Sequence, residues 1–246
     1  MLNNITLHIT NDYNELSLKA AQVFAAAVNA NPTGNFGFAT GSSPVGMYKE
    51  LIKMSQKGEV NLQGITAFNL DEYYPLDPSD PQSYSYFMAE NLFDAIELSS
   101  EKRNIPKGDA PDPIAECKRY EEKIASSGGI NMQILGIGNN GHIGFNEPSD
   151  VFAGQTNYVQ LAEDTITANA RFFDNADDVP KHALTMGIQS IMMSKSILLV
   201  ASGEGKAKIL HEALTGAITP NIPASVLQLH PNVTIVADKT AAKYFN

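Results

Sequence analysis

Short apolar runs alternate with longer stretches in which apolar positions return every three to four residues, and this alternation extends along the chain. The runs at 5–9, 37–39, 65–69, 132–136, 197–201 and 233–237 predict strands, and their near-continuous apolar character suits strands covered on both faces. After the first run, Asn11 is placed to cap a helix whose Leu16, Ala20, Val23, Phe24, Ala27 and Val28 share one face. Strand followed by helix, repeated, predicts an α/β fold built on a doubly wound, mostly parallel central sheet. Ligands of such sheets collect beyond the carboxyl ends of the strands, where loops turn into helices. No repeat or linker interrupts the pattern, so 1–246 reads as a single domain. The segment 151–178, polar and poor in strand signals, reads as a lid over the site.

Composition narrows the partners. A formal net charge of -10, with no long basic run, disfavours nucleic acid. It leaves room for a small anionic substrate held by a few basic groups and helix ends. The single cysteine, Cys117, cannot form an intrachain disulfide, and the polar start after Met1 lacks a signal-peptide pattern, so a cytoplasmic location is expected. No apolar stretch approaches the roughly 20 residues that cross a bilayer. Cys117, on an apolar helical face with Ile114 and Ile124, and Met192 and Met193 read as core filling, while His8, His182, His211 and His230 show no partner pattern.

Four loops carry chemistry. Thr40-Gly41-Ser42-Ser43-Pro44 follows a strand, with Ser43 placed as a helix cap and Pro44 as the first helical residue. Its amides, hydroxyls and glycine form a candidate phosphate cradle, although taken alone the loop reads equally as an ordinary capped helix. Asp71 and Glu72 end another strand; neighbours on extended chain point to opposite sides, so one acid faces the cleft while the other serves structure. Taken alone, they also read as solvated turn residues. The loop 136–148 packs four glycines, Asn140, His142 and Glu147 together, which suits close backbone approach and proton transfer near neutral pH. Neither metal-ligand spacing nor a paired nucleophilic serine accompanies His142. Lys206 lies in the first turn of a helix after 202–205, where the macrodipole disfavours a cation unless an anion binds, and Arg171 is a second candidate anion clamp.

Taken in order, TGSSPVGMYKEL, FNLDEYYPL, SYSYFM, GIGNNGHIGFNEP, ARFFDN, VPKHALTMGI and GEGKA resemble the glucosamine-6-phosphate deaminase family over nearly the whole chain. The resemblance implies a modified Rossmann-like three-layer sandwich. It implies conversion of glucosamine 6-phosphate to fructose 6-phosphate and ammonia, with no metal or organic cofactor. In that reading His142 opens the sugar ring, with Glu147 and Asn140 orienting it, and Asp71 is the base at the amine-bearing carbon. Gly41, Ser42, Ser43, Arg171 and Lys206 hold the phosphate. Some members carry aspartate where this chain has Asn140, which makes this residue a hydrogen-bonding partner and not an anion. Hexameric members place arginine at the position of Asn157 and extend beyond Asn246, so a monomer with little or no activation by N-acetylglucosamine 6-phosphate is expected. The rival readings are a galactosamine-6-phosphate deaminase, a 6-phosphogluconolactonase-like hydrolase, and a sugar-phosphate sensor without turnover.

Overall fold

Seven strands assemble in the order β1-β10-β9-β6-β2-β3-β5, every neighbouring pair parallel. The computed structural model describes residues 4–170, 173, 175 and 178–245. The strands are β1 (Ile5–Thr10), β2 (Asn35–Phe38), β3 (Thr66–Asn69), β5 (Arg103–Asn104), β6 (Met132–Leu135), β9 (Ile197–Ala201) and β10 (Val233–Asp238). Every residue of β2, β6 and β9 is buried, including Asn35 and Gln133, the polar members of otherwise mostly apolar strands. Helix α1 (Tyr13–Ala30) lays Leu16, Ala20, Phe24 and Val28 into the core, and Phe24 meets the rings of Phe36 and Phe38 at 5.1 and 5.4 Å. Each such ring removed from water contributes roughly 1.5–3 kcal/mol.

The order of strands positions the site. From β2 the chain steps outward through β3 to β5, whereas from β6 it steps the other way through β9 to β10. Loops leaving β2 and β6 therefore diverge, and the crevice between them is where an open parallel sheet receives its ligand.

A second, three-stranded antiparallel sheet was not predicted. It consists of β4 (Asp71–Tyr74), β8 (His182–Thr185) and β7 (Asn157–Gln160), in the order β4-β8-β7. Tyr73, Phe145, Leu161 and Ala183 form a small core of their own beneath it, joined by Tyr84, Val159, Ile166 and Phe173. The described part of 151–178 thus contributes both β7 and helix α5 (Glu163–Asn169), neither of which its polarity predicts.

Several local expectations need correction. Asp12, not Asn11, caps α1, accepting from the amides of Asn14 and Glu15, while Asn11 bonds the Glu15 carboxylate. Helix α2 (Ser42–Gln56) begins before Ser43, with Gly41 at its cap, because Gly41 at φ 91° turns the chain directly into the helix. In α4 (Pro113–Ser126) Cys117 and Ile124 are buried but Ile114, in the first turn, is 64% exposed. Met193 caps the C-terminus of α6 (Ile188–Met192) and is 74% exposed; only Met192 packs on the core. His230 is buried, with Nε2 2.8 Å from the Ser194 carbonyl and Nδ1 accepting from the Asn232 amide. His182 stacks on Tyr158.

Candidate active site

Strand β6 ends at Leu135, and the loop that follows folds tightly on itself: Gly138 donates to the His142 carbonyl and Gly141 to the Gly138 carbonyl. This brings the His142 ring over Gly138, where an added Cβ would meet Cε1 at 2.3 Å and Nδ1 at 2.4 Å. The absence of a side chain at Gly138 is thus what makes room for the imidazole. Glu147 returns from the far end of the loop, and its Oε2 lies 3.3 Å from His142 Nδ1. Asn140 donates to the same oxygen at 2.7 Å and accepts from the His142 amide at 3.2 Å, bracing both partners at once. The other oxygen, Oε1, accepts from the Thr165 hydroxyl at 2.5 Å. Burial pushes the Glu147 carboxyl up, but His142, Thr165 and Asn140 together outweigh it and hold the group below the ordinary carboxylate value. The result is a braced carboxylate–imidazole pair able to hand a proton to a sugar oxygen or take one away.

Asp71 and Glu72 are both buried, which removes the solvated-turn reading, and their environments differ as strand alternation predicts. Glu72 accepts three backbone amides, from Tyr73, Tyr84 and Ser85, and so pins the start of α3 (Tyr84–Met88) to β4. Burial still pushes it up to about 7, against the pull of those donors. Asp71 is pushed up to about 8, by burial first and by the neighbouring Glu72 second. The charge of Asp71 is felt by the buried hydroxyls of Tyr48, Tyr84 and Tyr120, all raised mainly by their own burial. A buried carboxyl raised toward neutral pH is a candidate general base.

The two groups are tied together through β8. Thr185 pairs in register with Asp71 on one side and Asn157 on the other, and its hydroxyl accepts from the Phe145 amide at 3.0 Å. Met186 donates to the Leu70 carbonyl, and Asn146 donates to the Met186 carbonyl. Strand β4, which carries Asp71, and the His142 loop are therefore neighbours at one edge of the sheet.

The candidate anion groups flank this arrangement. Gly41, Ser42 and Ser43 follow β2, and Ser202–Lys206 follow β9, on either side of β6. Gly41 supplies no side-chain cap, which leaves the first amides of α2 open to an anion. Tyr13 holds that helix start from behind, donating to the Ser42 carbonyl and accepting from the Gly46 amide. On the other side, Asp238 accepts from the Ser202 hydroxyl and the Gly203 amide, fixing the turn that leads to Lys206 at the start of α7 (Ala207–Thr215). Arg171 lies outside the described residues. Sequence reasoning missed Gly138, Thr165, Thr185, Tyr13 and Asp238; only Gly138 carried a signal, in the glycine density of its loop. Among the described residues no group of three or more His, Cys, Asp or Glu side chains is placed to hold a metal, and no helix is long and apolar enough to cross a membrane.

A family described as glucosamine-6-phosphate isomerases/6-phosphogluconolactonase matches residues 12–236. The chain is 50% identical over 234 residues to a glucosamine-6-phosphate deaminase of Thermoanaerobacter pseudethanolicus, covering 95% of this chain and 92% of that one. A solved monomeric glucosamine-6-phosphate deaminase superposes with a TM-score of 0.94 at 45% identity, over 97% of this chain and 99% of that one. A 6-phosphogluconolactonase from Trypanosoma cruzi shares the fold alone, with a TM-score of 0.78 at 16% identity over 100% of this chain and 98% of that one.

Proposed function

Because this chain belongs to the family of glucosamine-6-phosphate isomerases and 6-phosphogluconolactonases, we propose that its cleft opens glucosamine 6-phosphate, shifts a proton between C2 and C1, and releases the amine as ammonia. The protein is an enzyme, a glucosamine-6-phosphate deaminase. The observation that carries the reading is the separation of two candidate proton-transfer groups: a braced His142–Glu147 pair and a buried Asp71 on the neighbouring strand. A lactonase has no use for a second base at a carbon, whereas this reaction needs one group for ring oxygens and another for a C–H bond.

The steps follow from that division. His142, oriented by Glu147 and Asn140, moves the proton that opens the ring to the aldehyde. Asp71 takes the proton from C2 and leaves an enolamine. Reprotonation at C1 gives an iminium at C2, and water adds there, so its oxygen becomes the ketone of fructose 6-phosphate as ammonia departs. The amides of 41–43, with the Ser42 and Ser43 hydroxyls, Lys206 and Arg171, hold the phosphate, whose binding energy fixes the open chain in its reactive geometry.

The test is ammonia release from glucosamine 6-phosphate, with galactosamine 6-phosphate and the phosphogluconolactone in parallel. Rapid release from the first substrate and little turnover of the others is expected; lactone hydrolysis without ammonia would overturn the reading. A monomer in solution, with little response to N-acetylglucosamine 6-phosphate, also belongs to this proposal, supported by the likeness to a monomeric deaminase and by the neutral Asn157 lining a cavity of about 320 Å³ next to Glu147.

Gly138 gives a second expectation. Its backbone is not in the left-handed region, so alanine is conformationally acceptable there, and the three atoms nearest an added Cβ all belong to the His142 ring. Gly138→Ala is expected to lower kcat on the order of 10²-fold, the cost of displacing a catalytic group by about an ångström, with a melting temperature close to wild type. Steady-state kinetics and a thermal melt check this together.

A further inference from the structure

Glu147 has two oxygens, and its partners treat them differently. Oε2 faces His142 and takes the Asn140 amide, while Oε1 accepts from the Thr165 hydroxyl. Thr165 is buried, though Glu163 and Thr167 of the same seven-residue helix are exposed. A helical threonine ordinarily returns its hydroxyl to a carbonyl of the preceding turn. Here it crosses 18 positions to a carboxylate of the site. The helix itself is anchored by Ile166, which packs on the small core of Tyr73, Phe145, Leu161 and Ala183, and not on the large sheet.

We propose that Thr165 is a positioning residue for proton transfer: by occupying Oε1 it fixes the plane of the Glu147 carboxylate so that Oε2 alone meets His142, and it does so only while α5 is docked on the small core. Without that donor the carboxylate turns about its last torsion, the Asn140 and His142 contacts alternate between oxygens, and the imidazole loses its fixed aim. The ring-opening group and helix α5 are thereby one device, since undocking α5 removes a hydrogen bond from the acid–base pair. The inference rests on the assignment of His142 and Glu147 to proton transfer.

The experiment compares Thr165→Val, which keeps shape and removes the hydroxyl, with Thr165→Ser, which keeps the hydroxyl. Ammonia release from glucosamine 6-phosphate is followed across pH, and the Glu147 carboxyl carbon is titrated by NMR. Thr165→Val is expected to lower kcat on the order of tenfold with KM little changed, and to move the Glu147 titration upward, because one of the donors that lowers it is gone. Thr165→Ser is expected to restore both. In a Glu147→Gln background Thr165→Val should add no further loss, since the two act as a unit. Unchanged kcat and an unmoved titration in Thr165→Val would overturn the proposal, as would equal losses in the valine and serine variants, which would mark a packing role. If Thr165→Val does not fold, Thr165→Ala gives the same readouts. A wild-type protein that releases no ammonia overturns the functional reading itself, whereas an active wild type with an unaffected Thr165→Val overturns only this inference.

Discussion

Asp71→Asn is expected to lower ammonia release by about 10³-fold or more while leaving phosphate-ester binding within a few-fold of wild type. The asparagine has the same shape and cannot accept a proton from carbon, so the loss falls on kcat. In deuterated water the wild type should wash the C2 hydrogen out of the substrate and the variant should not; exchange at the wild-type rate in Asp71→Asn would remove Asp71 from the role. The wild-type profile carries a related expectation. With the carboxyl at about 8 in the free protein, kcat/KM should rise with pH through that region, because only the ionised form is a base.

The same substitution should stabilise the fold, and the sign can be worked out. Asp71 ionises near the ordinary 3.9 in the unfolded chain but at about 8 in the folded one. A raised folded value means that stability is fully present below the unfolded value and is lost as pH climbs through the folded one. Asparagine is neutral throughout, so Asp71→Asn should melt above wild type at pH 8.5, with the difference vanishing near pH 4. For a chain of this size each kcal/mol recovered corresponds to roughly 2–4 °C. Melting curves at the two pH values check it. A gain in stability with a loss of turnover marks a site held at the expense of the fold.

The second large effect concerns His142. His142→Gln is expected to lower kcat on the order of 10²- to 10³-fold with the cyclic substrate. The floor is set by spontaneous ring opening, which proceeds without the enzyme and feeds an intact Asp71. An open-chain amino-sugar phosphate that cannot cyclise should therefore still exchange its C2 hydrogen in His142→Gln at nearly the wild-type rate, and not in Asp71→Asn. Equal loss of exchange in both variants would show that the two proton transfers are not divided as assigned.

How much of this was written in the chain depends on the periodicity each part leaves. The large sheet was legible because β6, β9 and β10 are mostly apolar and almost wholly buried, with Gln133, Thr234 and Asp238 too few to hide the pattern. The small sheet was not, since DEYY, NYVQ and HALT are four-residue strands that mix polar and apolar residues, with Asp71, Glu72 and Thr185 buried while Gln160 is exposed. The loop after β6 announced its chemistry by composition, and the structure brings Asn140, His142 and Glu147 together. Thr165 left no trace, because a hydroxyl in a short polar helix becomes informative only once the chain has folded it 18 positions back onto a carboxylate. Ile114 and Met193 show the opposite error: spacing placed them inward, but helix ends leave residues exposed whatever their phase.

Thr185 joins β4, β7 and the amide of Phe145 through a single buried residue. For redesign toward another sugar phosphate this divides the molecule into parts that tolerate change separately and one that does not. On the proposed assignment, loops after β2 and β9 can be rebuilt around a new anion without touching Asp71 or His142, and β7 can be altered at the rim. A change at β8 re-aims Asp71 and His142 together, so directed evolution should find beneficial substitutions on every side of that strand and few within it.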